Sequence, residues 1–146
     1  MWRRRKPGGN PEIEIGRRAL LFFRRIEMKV LIVDDSMMIR KALERYSVQL
    51  KMEIVGTAGN GREAIDLFQK LSPDVVTLDI TMPEMDGLSA LKEMKKINPA
   101  AHVIVISALN SKDVMVQALN MGAAGYIVKP FTPEKLKEQF DEIAGA

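Results

Sequence analysis

KVLIVDDS (residues 29–36) decides the fold of this chain. Its unbroken apolar run ends in two aspartates, Asp34 and Asp35, followed by Ser36. A continuous rather than alternating apolar run indicates a strand buried on both faces. Serine directly after it is a suited N-cap for a helix. The octapeptide therefore reads as the strand, acidic turn and helix start of one βα unit.

The same grammar repeats after this stretch. VVTL (75–78) ends at Asp79, VIVI (103–106) ends at Ser107, and residues 124–128 end at Lys129 and Pro130. A weaker strand falls near residues 52–57. Between the strands lie helical periods: Ile39, Leu43, Tyr46 and Leu50; Ile65, Phe68 and Leu71; Leu88, Leu91 and Met94; Val114, Ala118 and Met121; Leu136, Phe140 and Ile143. Each set follows the spacing of an amphipathic helix. Gly59-Asn60-Gly61, Ser72-Pro73 and Thr132-Pro133 punctuate the joins. Five βα units with short connections predict an α/β fold, a doubly wound parallel sheet with right-handed crossovers, over residues 29–146.

Composition bounds the function. The chain has 146 residues, 47% of them hydrophobic, which suits one globular domain. It has no cysteine, so disulfides and thiolate metal sites are excluded and a reducing, cytoplasmic setting fits. No apolar stretch reaches the length of a membrane span. Residues 1–28 carry eight basic and three acidic residues, a net charge of +5, which leaves −2 of the overall +3 for residues 29–146. The basic balance belongs to the leader, so it gives no ground for nucleic-acid binding. Residues 1–28 are expected to be a disordered extension, or the result of an upstream start assignment with translation beginning at Met28. Contact of this basic arm with anionic lipid is the less favoured reading. Arg17-Arg18 ahead of residues 19–23 has the look of an export signal, but the apolar run is too short and arginines close it.

In an open parallel sheet, reactive groups gather at the carboxyl ends of the strands. Asp34, Asp35 and Asp79 are expected to converge there, where each pair would repel by roughly 3 kcal/mol at an effective dielectric of 20. Such a cluster recruits a cation, and hard oxygen ligands without His or Cys select Mg²⁺. A divalent ion together with Lys129 balances three carboxylates and leaves the site receptive to a phosphoryl group. Ser107 adds a hydroxyl donor.

The segments VLIVDDS (30–36), VVTLDITMPEMDGL (75–88), VIVISA (103–108) and YIVKPF (126–131), in this order and spacing, resemble the response-regulator receiver family over residues 29–145. The resemblance implies a flavodoxin-like sheet of five strands in the order 2-1-3-4-5, with five helices. It implies that Asp79 accepts phosphate from a histidine kinase, that Asp35 binds the metal directly and Asp34 through water, and that Thr81 offers its backbone carbonyl. It makes Lys129 the bridge between carboxylate and phosphoryl oxygens, with Pro130 where the family often has a cis peptide. Ser107 and Tyr126 become the switch hydroxyl and switch aromatic. The face built from the domain's fourth helix, fifth strand and fifth helix would then change its binding preference.

Within that family the resemblance is to stand-alone chemotaxis regulators of the CheY type. Their partners would be a chemotaxis histidine kinase and a flagellar motor switch protein, with the regulator a monomer. Leu109, two after the switch hydroxyl, has no polar group to orient water, so slow self-dephosphorylation and a partner phosphatase are expected. A phosphorelay intermediate serving a histidine phosphotransfer domain is the alternative. A small Mg-dependent phosphohydrolase is disfavoured because Thr81 stands where it would want a second acid.

Blander readings stand beside these. Asp34 and Asp35 could simply end a strand, and Tyr126 could be core packing. Asp86-Gly87 reads as a turn that starts a helix. Met82-Pro83 shapes the loop after Asp79, and His102 lies at a strand entrance on the opposite edge. The methionines, including Met37, Met38, Met82, Met85 and Met94, read as filler of helix faces. The glycines at 56, 59 and 61 lack the ending of a nucleotide P-loop.

Overall fold

Strands β1 (Lys29–Val33), β2 (Glu53–Ala58), β3 (Val75–Leu78), β4 (His102–Ser107) and β5 (Gly125–Val128) form as the apolar runs require. They pair in parallel in the order β2-β1-β3-β4-β5. The structure is a computed structural model and describes residues 10–26, 28–82 and 86–145. Among the described residues six helices accompany the strands: α1 (Pro11–Ile26), α2 (Met37–Gln49), α3 (Gly61–Leu71), α4 (Gly87–Ile97), α5 (Lys112–Asn120) and α6 (Pro133–Gly145).

Alternate strand residues serve two cores. Leu31, Val33, Val76, Leu78, Val103 and Val105 pack with Phe68 of α3, Leu91 and Met94 of α4 and Ala118 of α5. Val30, Ile32, Val75, Ile104, Ile106 and Ile127 pack with Leu43 of α2 and with Leu136, Phe140 and Ile143 of α6. Both faces of the sheet are thus covered, which is why the strands carry no polar alternation. Phe140 is fully buried, and truncating such a side chain to alanine costs about 3–5 kcal/mol.

Local chemistry fixes the helix starts beside the carboxyl ends of the strands. Ser36 caps α2 by accepting from the Ile39 amide at 3.3 Å, and Asn60 caps α3 by accepting from Glu63 at 2.9 Å. Asp86 caps α4 by accepting from Ser89 at 2.8 Å. Gly87 follows because no side chain fits: a Cβ there would stand 2.2 Å from Ile80 Cα. The turn expected at Asp86-Gly87 is therefore the helix start, packed against the residue after Asp79.

Helix α1 occupies part of the stretch expected to be disordered. Asn10 begins it, its side chain accepting from the Glu12 amide at 3.0 Å and its carbonyl from Glu14 at 3.3 Å. Pro11 at the first helical position and Glu12 and Glu14 in the first turn suit that end of a helix. The helix lies alongside α6, and such tertiary support is what composition cannot register. Residues 11–26 of the leader are thus described as a helix, while residues 1–9 and 27 lie outside the described residues. The methionines also divide. Met52, Met82 and Met94 are buried, whereas Met37 and Met38 project to solvent at the start of α2 and are not filler. Met85, with Pro83 and Glu84, lies outside the described residues.

Candidate functional site

The chain runs from β1 outward to β2 and then returns past β1 to β3, so the order reverses between β1 and β3. Helices leave a crevice at the carboxyl ends of two such strands. Asp34 closes β1 and Asp79 closes β3, tied by backbone bonds from Asp34 N to Ala58 O (3.0 Å) and from Asp79 N to Val33 O (2.9 Å). Both are buried, at 1% and 2% exposure, while Asp35 between them and solvent is exposed. Carboxylate oxygens of Asp34, Asp35 and Asp79 all lie within 4.8 Å of one another. The sequence expectation of convergence holds.

Asp34 is held on three sides. Its Oδ1 accepts from the Ser36 amide at 2.9 Å, its Oδ2 from Lys129 Nζ at 2.7 Å, and its carbonyl from Arg40 Nη1 at 2.7 Å. Asp79 Oδ1 accepts from both the amide and the hydroxyl of Thr81, at 2.9 and 2.8 Å, and its Oδ2 from Lys129 Nζ at 3.3 Å. The Asp35 carboxylate accepts no hydrogen bond among the described residues. One ammonium thus stands against three carboxylates, leaving two formal negative charges for a cation to balance.

The electrostatics follow from burial. Desolvation pushes the Asp34 carboxyl above its ordinary value, against the hydrogen bonds from Lys129 and Ser36. For Lys129, burial acts to lower the pKa, but its bond to Asp34 and the charges of Asp34 and Asp79 outweigh it and hold the ammonium above its ordinary value. Lys129 stays charged as the fixed cation of the site.

Ser107, buried at the end of β4, accepts from the Leu109 amide at 3.1 Å, and its carbonyl accepts from the Lys129 amide at 2.8 Å. Tyr126 on β5 donates its hydroxyl to the Leu109 carbonyl at 2.6 Å. The same short loop therefore touches both residues proposed as a switch pair. The peptide between Lys129 and Pro130 is cis, as the resemblance implied. His102 lies at the far edge of the sheet, lining a recess of about 520 Å³ with Ser72, Asp74 and Asn98, apart from the acidic cluster.

Two contributors were not foreseen: Arg40 and the hydroxyl of Thr81. Arg40 stands four residues after Ser36 and so shares its face of α2, which was the available signal. The Thr81 hydroxyl carries no signal of its own in the sequence, since the resemblance implies a role only for its carbonyl.

The three oxygen donors, without nitrogen or sulfur, suit a hard divalent ion such as Mg²⁺, which keeps several waters and takes few protein ligands. A crevice of this kind, with a fixed ammonium at its wall, suits a hydrated divalent ion and the oxygens of a phosphoryl group. Comparison with known proteins agrees. Residues 30–141 match the response regulator receiver domain. The chain is 43% identical over 116 residues to the chemotaxis protein CheY of Thermotoga maritima, covering 80% of this chain and 97% of that protein. It is 40% identical over 114 residues to CheY of Bacillus subtilis, covering 78% and 95%. Among solved structures, CheY in the CheX-CheY-BeF3-Mg complex from Borrelia burgdorferi superposes with a TM-score of 0.78 at 36% identity, covering 80% of this chain and 88% of that one. The chain belongs to the response regulator receiver family.

Proposed function

We propose that this chain is a phosphorylation-activated response regulator of chemotaxis, acting in the cytoplasm as a monomer. A carboxylate oxygen of Asp79 attacks the phosphorus of a kinase phosphohistidine. The new O–P bond replaces the N–P bond, and the released imidazole nitrogen takes up a proton. The observation that carries this reading is the Lys129 ammonium held between Asp34 and Asp79 beside the exposed Asp35. Asp34, Asp35, Asp79 and the Thr81 carbonyl would hold Mg²⁺, whose charge screens the phosphoryl oxygens when bound. Lys129 pairs with the incoming phosphoryl group, and Ser107 turns from the Leu109 amide to donate to it. Tyr126 follows Ser107 through the shared loop, and the surface of α5, β5 and α6 changes its affinity for a flagellar motor switch protein.

Leu109 is exposed and its side chain offers no polar atom to an attacking water, which supports a long-lived acyl phosphate and a partner phosphatase. The Borrelia CheY above is recorded with CheX, Mg and a beryllofluoride group, which supports the metal and the phosphoryl chemistry proposed here.

The test is phosphorylation by a small phosphodonor with and without Mg²⁺, read by intact-mass spectrometry. One phosphoryl group is expected, dependent on Mg²⁺ and absent in Asp79→Asn. Phosphate retained in that variant would overturn the assignment. Binding of a motor-switch peptide that tightens with beryllofluoride supports the chemotaxis output. Transfer to a histidine phosphotransfer domain, with no peptide binding, would make the chain a phosphorelay intermediate instead.

A further inference from the structure

Helix α1 lies outside the residues matched by the family, which begin at residue 30. Ile13 and Leu20, and Ile15 and Phe22, are spaced seven apart, with Ala19 and Phe23 completing a broad apolar face. In a helix buried against a domain such residues would be covered. Here Ile13 is 68% exposed, Ile15 67% and Phe23 58%, although the helix lies alongside α6. Arg17 and Arg18 flank this face in solvent, Arg18 3.4 Å from Glu14, and the sequence places Arg24 and Arg25 two turns further on. Arg3, Arg4, Arg5 and Lys6 precede the helix, so residues 1–28 carry +5 in all.

We propose that α1 is a membrane-surface helix whose partner is a bilayer rich in anionic lipid. The apolar face enters the boundary between headgroups and acyl chains, and the arginines meet lipid phosphates at its rim. An apolar face bordered by arginines matches that layered surface in both chemistry and charge. No helix among the described residues is long and apolar enough to cross a membrane, so the contact is peripheral. It would bring the acidic site to the membrane surface without using any of the site's residues.

The test uses the full chain and vesicles of equal parts phosphatidylglycerol and phosphatidylcholine, against vesicles of phosphatidylcholine alone. Co-sedimentation is expected with the anionic vesicles and at least about tenfold weaker with the neutral ones. The single tryptophan, Trp2, gives a second readout through its emission. Ile15→Glu with Phe23→Glu should abolish binding, and Arg17→Glu with Arg18→Glu should weaken it by about tenfold or more. Neither pair touches the domain core, and an unchanged urea midpoint checks this. Asp79→Asn should bind as the parent does, which separates this result from the phosphoacceptor reading. Equal binding to both vesicles would overturn the proposal, as would binding that survives the Ile15 and Phe23 changes. Self-association abolished by the same changes, without vesicle binding, would assign the face to a second copy and likewise overturn it.

Discussion

The Lys129 ammonium donates to Asp34 Oδ2 at 2.7 Å, across 95 residues of chain and from the opposite side of the central strand β3. That contact joins the two halves of the sheet at their carboxyl edge. Because Asp34 is buried and three carboxylates share the crevice, the lysine neutralises charge that water cannot reach.

Lys129→Met should therefore leave an uncompensated acidic cluster and cost about 2–4 kcal/mol of stability in the absence of divalent ions. Mg²⁺ should recover much of the loss and stabilise the variant more than the parent, since it binds the folded state alone. Urea denaturation with and without Mg²⁺ measures both. A variant as stable as the parent without the ion would contradict the charge argument.

At Gly87 the constraint is steric. A methyl group would meet Ile80 Cα at 2.2 Å and the Asp79 carbonyl at 2.5 Å, both backbone atoms that cannot step aside. Gly87→Ala should cost about 2–3 kcal/mol, near the upper range for overpacking. Phosphorylation should slow as well, because the displaced backbone carries Asp79. Thermal unfolding and a phosphodonor time course report the two effects.

Tyr126→Phe removes one hydrogen bond to the Leu109 carbonyl. The expected stability loss is about 0.5–1.5 kcal/mol, the net worth of such a bond. If Tyr126 reports the switch, beryllofluoride should tighten binding of a motor-switch peptide less in this variant than in the parent. Titration of both proteins with the peptide decides the matter, and equal tightening would confine Tyr126 to packing.

His102, the chain's one histidine, sets a pH dependence. Burial disfavours its charged ring, Lys95 adds to this and Asp74 opposes it, and its pKa falls below the ordinary value. The unfolded chain therefore takes up the proton at higher pH than the folded one. The stability this group contributes is present above about pH 6.5 and is lost as pH falls through the lower folded value. Urea midpoints between pH 7 and 5 should decline less steeply in His102→Gln, and parallel curves would exclude the effect.

Much of this architecture was legible because it depends on local pattern. KVLIVDDS (29–36) and the other apolar runs mark strands buried on both faces, and Ser36, Asn60 and Asp86 cap helices through bonds to amides three residues on. Asp34, Asp35, Asp79 and Lys129 were readable as candidates because each follows a strand, and a parallel sheet directs strand ends to one edge. Helix α1 escaped notice because basic, glycine-containing segments suggest disorder. Its period was visible in Ile15, Ala19 and Phe22, but its stability draws on a neighbour more than a hundred residues away.

The sequence by itself determined the elements from residue 29 onward, the edge at which the chemistry gathers and the identity of the acids and the lysine, because those follow from periodicity and strand direction. Only the tertiary structure decided how the charges are shared. Lys129 binds two carboxylates, Arg40 holds the Asp34 carbonyl, the Thr81 hydroxyl binds Asp79, and Asp35 is left open to solvent. These arrangements depend on distances between residues far apart in the chain, set by how helices pack on both faces of the sheet, and no local pattern encodes them.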